Sequence, residues 1–198
     1  MAEARVGHVH RVTRETDVEV TIVLDGSGKA AVSSGVKFLD HMLDSLARHG
    51  LFDLEVKATG DLQVDDHHTV EDVAIALGQA LNAAIGEGKG IRRFGHAIVP
   101  LDEALATAAV DFSGRGAGFV TVPLDGPLVG DLKTQMVGHF FESLAREGRL
   151  TLHLELTRGE NDHHRVEACF KALAKALDWV TQLDDRLGDQ VPSTKGVL

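Results

Sequence analysis

Apolar residues recur with two different periods along the first half of the chain. Alternation with a period of two over Asp17–Asp25 and Leu51–Thr59 predicts two half-buried strands. Apolar residues spaced three and four apart over Phe38–His49 and Thr69–Ile85 predict two helices, and Gly50 is the candidate C-cap of the first helix. This half is therefore expected to form a small sheet with two helices.

The second half of the chain repeats the first. Met136–Gly148 matches Phe38–Gly50 at an offset of 98 residues, and Asp162–Glu167 matches Asp66–Glu71 at an offset of 96. A strand predicted at Leu150–Thr157 lies between the two matching segments, as in the first half. The period is too long and the copy number too low for a solenoid.

These patterns predict an internally duplicated α+β domain, in which each half is a small, mostly antiparallel sheet packed against two helices. The glycine-rich segment Gly86–Gly90 is the best candidate boundary, which gives halves at residues 1–90 and 91–198. From Asp184 onward the helical pattern is lost, and from composition alone this tail is interpreted as a frayed terminus.

Composition excludes several classes of protein. Thirty acidic residues against twenty basic residues give a formal net charge of −10, which opposes binding to nucleic acid. A single cysteine, Cys169, excludes an internal disulfide framework and a thiolate-rich metal site. Because no long apolar run or secretion signal is visible, we expect a cytoplasmic protein that does not bind membranes.

Histidine is the unusual feature of the composition, with eleven residues that include two adjacent pairs. Each pair belongs to a His-His-x-x-Glu cassette on a predicted helix, and one further histidine stands at an equivalent place in each repeat. Together these residues are His41, His67, His68, Glu71, His139, His163, His164 and Glu167. Spacings of three and four residues bring side chains together on one helix face.

Imidazole nitrogens and carboxylate oxygens suit a borderline divalent ion such as manganese, iron, cobalt, nickel or zinc. Adjacent histidines diverge by about 100° around a helix, so they reach two ions more naturally than one. A lone cassette is usually a surface pair, but two copies at equivalent positions favour two ions with about three imidazoles and one carboxylate each. An octahedral site with open positions and a closed tetrahedral zinc site both remain possible at this point.

Other polar residues near these cassettes have candidate roles. Asp66 and Asp162 precede the histidine pairs and are predicted to cap the helices, with orientation of a ligand imidazole as the alternative role. Arginines beside glycine-containing turns and donors in the tail suit a phosphate, although each alone is more often a solvated surface residue. These phosphate candidates are Arg93, Arg115, Ser193 and Lys195.

The chain resembles the imidazoleglycerol-phosphate dehydratase family of histidine biosynthesis over nearly its whole length, from about Arg11 to Lys195. The motifs that carry the resemblance are Leu39–Met42, Asp65–Asp72, Gly138–Ser143 and Asn161–Ala168, with support from Arg11–Thr16 and Pro100–Ala104. The doubled cassette is the most specific of them.

The resemblance implies a lyase with two manganese ions per active site, held by the eight histidines and glutamates named above. It implies substrate contacts at Glu15, Arg93, Arg115, Ser193 and Lys195. It also implies a homo-oligomer of 24 subunits with active sites at subunit interfaces, in which the tail forms part of a phosphate pocket.

The reaction implied is the conversion of imidazole glycerol phosphate, a small phosphorylated imidazole, to imidazole acetol phosphate and water. The proton that is lost is not acidified by any carbonyl group. The expected route is a dimetal-bound imidazolate that expels the hydroxyl group to give a diazafulvene-like intermediate. Glu15 is the residue expected to move protons.

Two alternative functions remain at this stage. A dinuclear metal hydrolase would use a metal-bound hydroxide and would release hydrolysis products instead of a ketone. A metal-storage or scaffold protein would have filled coordination spheres, and imidazole-bearing ligands would not change its metal spectrum. The arginines and the Ser-x-Lys tail beside the cassettes argue against both.

Overall fold

The computed structural model describes residues 4–198, which form ten strands and four helices. In chain order these are β1 (Val6–Val12), β2 (Thr16–Val23), β3 (Ala30–Ser33), α1 (Lys37–Gly50), β4 (Asp53–Gly60), α2 (His67–Ile85), β5 (Phe94–Leu101), β6 (Ala104–Asp111), β7 (Ala117–Thr121), β8 (Leu128–Val129), β9 (Leu132–Lys133), α3 (Thr134–Glu147), β10 (Thr151–Arg158) and α4 (Asp162–Thr181).

Two four-stranded sheets have the same topology. Their strand orders are β1-β2-β4-β3 and β5-β6-β10-β7. In each sheet three strands are antiparallel, and the fourth pairs in parallel at the edge, as β3 with β4 and β7 with β10. The predicted duplicated α+β fold with mostly antiparallel sheets is confirmed.

The four helices lie between the two sheets. Helix α2 packs against β1 and β2, and α4 packs against β5 and β6. Across the duplication, α1 contacts α4 and α2 contacts α3, so one core is shared by both halves. Phe140, Phe141 and Phe170 pack together in that core in edge-on and tilted arrangements, with ring centroids 4.6–5.6 Å apart. Each site described below therefore uses helices from both halves.

The C-cap of α1 is Leu51 and not the predicted Gly50. Gly50 is the last residue of the helix, and Leu51 takes the left-handed conformation with φ of 58°. A Cβ atom on Gly50 would lie 2.4 Å from the ring of Phe52, so this glycine is required for packing. Arg149, at the same place in the repeat, has φ of 53°.

The tail after α4 is anchored and does not fray. Backbone hydrogen bonds join Asp184 N to Gly90 O at 2.8 Å and Gly90 N to Gln190 O at 2.9 Å. The Arg93 guanidinium also donates to Pro192 O at 2.7 Å. The interpretation of a frayed terminus was wrong, because composition gives no sign of these long-range partners. None of the helices over residues 4–198 is long and apolar enough to cross a membrane.

Candidate functional site

The first group of candidate ligands lies between α2 and α3, and we call it the α2–α3 cluster. It consists of His67, Glu71 and His139, whose donor atoms all lie within 4.8 Å of one another. His139 Nε2 is 3.0 Å from Glu71 Oε1, and His67 Nε2 is 3.9 Å from Glu71 Oε2.

The second group, the α1–α4 cluster, has the same composition. His41, His163 and Glu167 bring their donor atoms within 4.8 Å of one another. His163 Nε2 is 3.0 Å from Glu167 Oε2, and His41 Nε2 is 3.6 Å from the same oxygen. In both clusters a longer helix supplies a histidine and a glutamate from its first two turns, and the partner helix supplies the second histidine.

Close helix packing brings these side chains together. The histidine and the glutamate of each longer helix are four residues apart and therefore share a face. Where α2 crosses α3, a Cβ atom on Gly78 would lie 2.7 Å from Leu144 O and 2.8 Å from Gly148 N. Glycine at this position therefore lets the backbone that carries Glu71 approach the helix that carries His139.

The charge of Glu167 is well supported. Burial raises the pKa of this carboxyl group. A hydrogen bond from Lys171 and the nearby His163 and His41 lower the pKa by more than burial raises it, so the net pKa lies below the usual value. Lys171 Nζ is 2.7 Å from Glu167 Oε1. The equivalent residue of α2 is Ile75, so the two clusters differ in this one partner.

The second histidine of each pair faces away from its cluster. His68 Nδ1 lies 3.0 Å from Asp61 Oδ2, and His164 Nδ1 lies 2.8 Å from Glu103 Oε2. These hydrogen bonds raise the pKa of both imidazoles. Within one chain each cluster thus has two imidazoles and one carboxylate, one imidazole fewer than predicted, because adjacent helical residues point in directions about 100° apart.

The donor set of each cluster fits a divalent metal ion. Two imidazole nitrogens and one carboxylate oxygen suit borderline ions such as manganese or zinc, and three protein ligands leave room for further ones. The clusters share no residue, so each could hold one ion independently of the other.

The four predicted phosphate contacts line one pocket. Arg93, Arg115, Ser193 and Lys195 surround a cavity of about 430 Å³ together with Ser113. This arrangement brings two guanidinium groups, one ammonium group and hydroxyl groups to a single space, which is the chemistry that binds a phosphate.

Arg93 also holds the tail against this pocket. It has φ of 69° and donates from Nε to Asp111 Oδ1 at 2.8 Å, while its Nη1 bonds to Pro192 O one residue before Ser193. Hydrogen bonds from both Nε and Nη1 therefore fix the guanidinium group of Arg93 in place.

Glu15, the remaining predicted contact, does not line this pocket. It lies in the exposed turn between β1 and β2, where its backbone N–H donates to Thr13 Oγ1 at 3.1 Å. Asp61 is the main cause of the raised pKa of His68, and the negative charge of Glu15 adds to it.

The predicted capping roles of Asp66 and Asp162 were wrong. Asp66 makes no side-chain cap hydrogen bond and accepts one from Lys133 N at 2.8 Å. Asn161 is the N-cap of α4, and Asp162 accepts from Gly126 N at 2.9 Å. Both aspartates instead tie the segment that precedes α3 to the start of a longer helix, which position in the sequence alone does not reveal.

The carboxylate partners of the outward-facing histidines are not evident from the sequence. Asp61 belongs to no motif, and only the fold places it beside His68. Glu103 lies within the Pro100–Ala104 motif, but the sequence does not show that His164 is its partner.

Comparison with known proteins identifies a family whose members match most of the chain. Residues 34–177 match the family model described as imidazoleglycerol-phosphate dehydratase. A relative of that name from Roseiflexus sp. (strain RS-1) is 54% identical over 197 residues, covering 100% of this chain and 99% of the relative. The chloroplastic imidazoleglycerol-phosphate dehydratase 1 of Arabidopsis thaliana is 54% identical over 198 residues, covering 100% of this chain and 73% of the plant protein.

Solved structures of proteins with the same family name match the fold of this chain. Imidazoleglycerol-phosphate dehydratase from Staphylococcus aureus is 35% identical with a TM-score of 0.81, covering 90% of this chain and 99% of that one. The Pyrococcus furiosus protein, solved in complex with (S)-C348, is 38% identical with a TM-score of 0.82, covering 96% of this chain and 100% of that one.

Proposed function

The chain belongs to the imidazoleglycerol-phosphate dehydratase family, and from this premise we propose that it dehydrates imidazole glycerol phosphate in histidine biosynthesis with two manganese ions. The observation that carries the proposal is the pair of His-His-Glu clusters, which have the same composition and stand at equivalent places in the repeat. The product is imidazole acetol phosphate.

The residues that hold the ions are the members of the two clusters together with the outward-facing histidines. They are His41, His67, His68, Glu71, His139, His163, His164 and Glu167. Bound cations beside the substrate ring lower the cost of removing the ring N–H proton, which makes the ring electron-rich.

The phosphate of the substrate binds in the pocket lined by Arg93, Arg115, Ser193 and Lys195. A guanidinium fork gives bidentate hydrogen bonds, which fix the orientation of the phosphate as well as its position. Arg93 is already engaged by Asp111, so Arg115 is the freer of the two arginines to make such a contact.

In this proposal Glu15 transfers protons during the loss of water. The C–O bond beside the ring breaks, the hydroxyl group takes up the proton lost from the ring N–H and leaves as water, and the substrate becomes a neutral diazafulvene-like intermediate. The proton on the adjacent carbon is then acidic and passes to the Glu15 carboxylate, which returns a proton to the ring nitrogen. The resulting enol rearranges to the ketone.

Other copies of the chain complete the metal sites in this proposal. His68 and His164 are partly exposed and point away from the clusters of their own chain, where an imidazole is still needed. We therefore place the active sites at subunit interfaces of a homo-oligomer of about 24 chains. A cytoplasmic location is part of the same proposal.

An assay on metal-stripped and manganese-loaded protein tests this function. Imidazole glycerol phosphate is supplied and the ketone is followed with time. We expect ketone formation with manganese and its loss after stripping. Release of inorganic phosphate would instead indicate a hydrolase, and bound manganese without any turnover would indicate a storage or scaffold protein; either result contradicts the proposal.

A further inference from the structure

Two carboxylates stand in matching places beside the histidines that face away from the clusters. Asp61 Oδ2 is 3.0 Å from Nδ1 of His68, and Glu103 Oε2 is 2.8 Å from Nδ1 of His164. Because an ionised carboxylate only accepts hydrogen bonds, Nδ1 carries the hydrogen in both imidazoles. In the neutral ring Nε2 then keeps its lone pair, which is the form that binds a metal.

The two carboxylates do not correspond in the internal repeat. The residue 96 positions after Asp61 is Thr157. The strand registers align β2 with β6 at an offset of 88, so the residue equivalent to Glu103 is Glu15. Duplication of one ancestral half therefore does not explain why both histidines have the same partner. The same chemistry built from unrelated positions indicates that both histidines need it.

Folding alone gives little reason for Asp61. Its Oδ1 is buried and has no hydrogen-bond partner among residues 4–198, so His68 is the main partner of a largely desolvated carboxylate. Such a group lowers the stability of the fold, so its presence indicates a role other than folding.

Glu103 is held firmly. It accepts hydrogen bonds from the backbone N–H groups of Glu160 at 3.1 Å and Asn161 at 2.9 Å, just before α4. Nε2 of His164 lies 3.7 Å from Asp102 Oδ2, too far for a hydrogen bond, so that nitrogen is free to bind an ion.

We infer that Asp61 and Glu103 are positioning residues that fix His68 and His164 in the tautomer and orientation presenting Nε2 to manganese. This inference rests on the proposed function. A histidine that binds a metal commonly donates its other ring N–H to a carboxylate or carbonyl, and loss of that partner costs metal affinity. Positioning of His164 would also be the role of Glu103 within the Pro100–Ala104 motif.

Glu103→Gln is the sharpest variant. The glutamine oxygen still accepts from the two backbone N–H groups, while its NH₂ replaces Oε2 and donates to Nδ1 of His164. The ring hydrogen is then forced onto Nε2, which blocks the metal-binding position. Asp61→Asn is the independent second variant, and Glu55→Gln, at an exposed pair with Lys57, is the matched control.

Two readouts are needed on the intact, metal-stripped protein. Binding of Mn²⁺ is measured from the electron paramagnetic resonance signal of the free ion, and tautomers are determined by solid-state NMR of ¹³C,¹⁵N-histidine-labelled protein. We expect Glu103→Gln and Asp61→Asn each to weaken Mn²⁺ binding at one class of site by ~10–100-fold and to change the tautomer of one imidazole, with Glu55→Gln unchanged.

Unchanged tautomers in both variants would overturn the inference, even if affinity fell, because the effect would then be structural. Unchanged affinity would overturn it as well. In both cases wild-type protein that still binds Mn²⁺ leaves the proposed function intact. Wild-type protein that binds no Mn²⁺ would overturn the proposed metal chemistry itself.

Discussion

Glu15 lies in the exposed turn between β1 and β2 and outside the phosphate pocket, and its charge helps to raise the pKa of His68. We expect Glu15→Gln to lower kcat by ~10²–10⁴-fold, because an amide cannot take up the substrate proton. Mn²⁺ content and the mass of the assembly should not change. Steady-state kinetics and metal analysis on the same preparation check this.

The matched control for this variant is Glu19→Gln, which removes an exposed carboxylate on the outer face of β2. It should retain wild-type kcat. Normal turnover in Glu15→Gln would remove Glu15 from proton transfer, and equal losses in both variants would point to a general effect of negative charge on this sheet.

Much of the candidate site could be predicted at the scale of single residues. Helical spacing brings His67 to Glu71 and His163 to Glu167, and the repeat singles out His41 and His139. Asp61 could not be predicted, because its proximity to His68 depends on where β4 ends relative to α2. Capping by Asp66 was a local rule, and it failed where a partner from a distant segment competed.

At the scale of elements, the crossing of α2 and α3 sets the geometry of one cluster. We expect Gly78→Ala to lower the free energy of unfolding by about 1–3 kcal/mol, since the added methyl group meets backbone atoms of α3 that must move. Affinity for Mn²⁺ should fall as well, because Glu71 and His139 separate. Chemical denaturation and metal titration measure the two effects.

Gly138→Ala is the control for that variant, since it lies on α3 and a Cβ atom there meets nothing within 4 Å. It should raise the free energy of unfolding by about 0.5–1 kcal/mol through helix propensity alone. Stability in Gly78→Ala equal to that in Gly138→Ala would show that the helix crossing is not tightly packed.

The anchored tail has a predictable dependence on pH. A side-chain hydrogen bond from Arg186 lowers the pKa of Asp184 from 3.8 to about 2. Because the folded pKa is depressed, this carboxylate stabilises the fold above pH ~3.8, and the contribution disappears as the pH falls towards 2. Asp184→Asn should therefore melt below wild type at pH 7 and approach wild type in acid.

Thermal melts of both proteins between pH 7 and pH 2 check this expectation. Asp185→Asn, a change at the exposed neighbouring residue, should follow wild type throughout. A difference between Asp184→Asn and wild type that stays constant down to pH 2 would contradict the assigned role of Asp184.

The sequence predicted those elements whose buried and exposed faces contrast in hydrophobicity, such as β2, β4 and the helices. The hydrophobic contrast is weak in β6, where alanine fills three of the four buried positions and Leu105 and Ala109 occupy half-buried ones. Strand β5 inverts the usual pattern, since Phe94 and Ile98 are 57% and 62% exposed. Such strands are defined by their sheet partners rather than by their own periodicity.

At the scale of the whole molecule, duplication was visible in the sequence and the shared core was not. Matching segments predicted two similar halves, but the exchange of histidines between them arises because α1 packs on α4 and α2 on α3. Each half alone would hold the His-x-x-x-Glu portion of a cluster and lack the second imidazole.

Assembly should depend on metal if outward-facing histidines bind ions held by neighbouring chains. We expect wild-type protein to scatter light as a particle of ~510 kDa, from about 24 chains of 21.2 kDa. Stripping with a chelator should lower the mass, and Mn²⁺ should restore it. A mass that does not respond to stripping would contradict the bridging role of His68 and His164.

The central claim is that each chain carries two separate manganese sites at equivalent places in its repeat. Crystals of Mn²⁺-loaded protein, with diffraction measured at the manganese absorption edge, test it most directly. We predict two anomalous peaks per chain, one bound by His67, Glu71 and His139 and one by His41, His163 and Glu167. A single peak per chain, or peaks away from these side chains, would contradict the account.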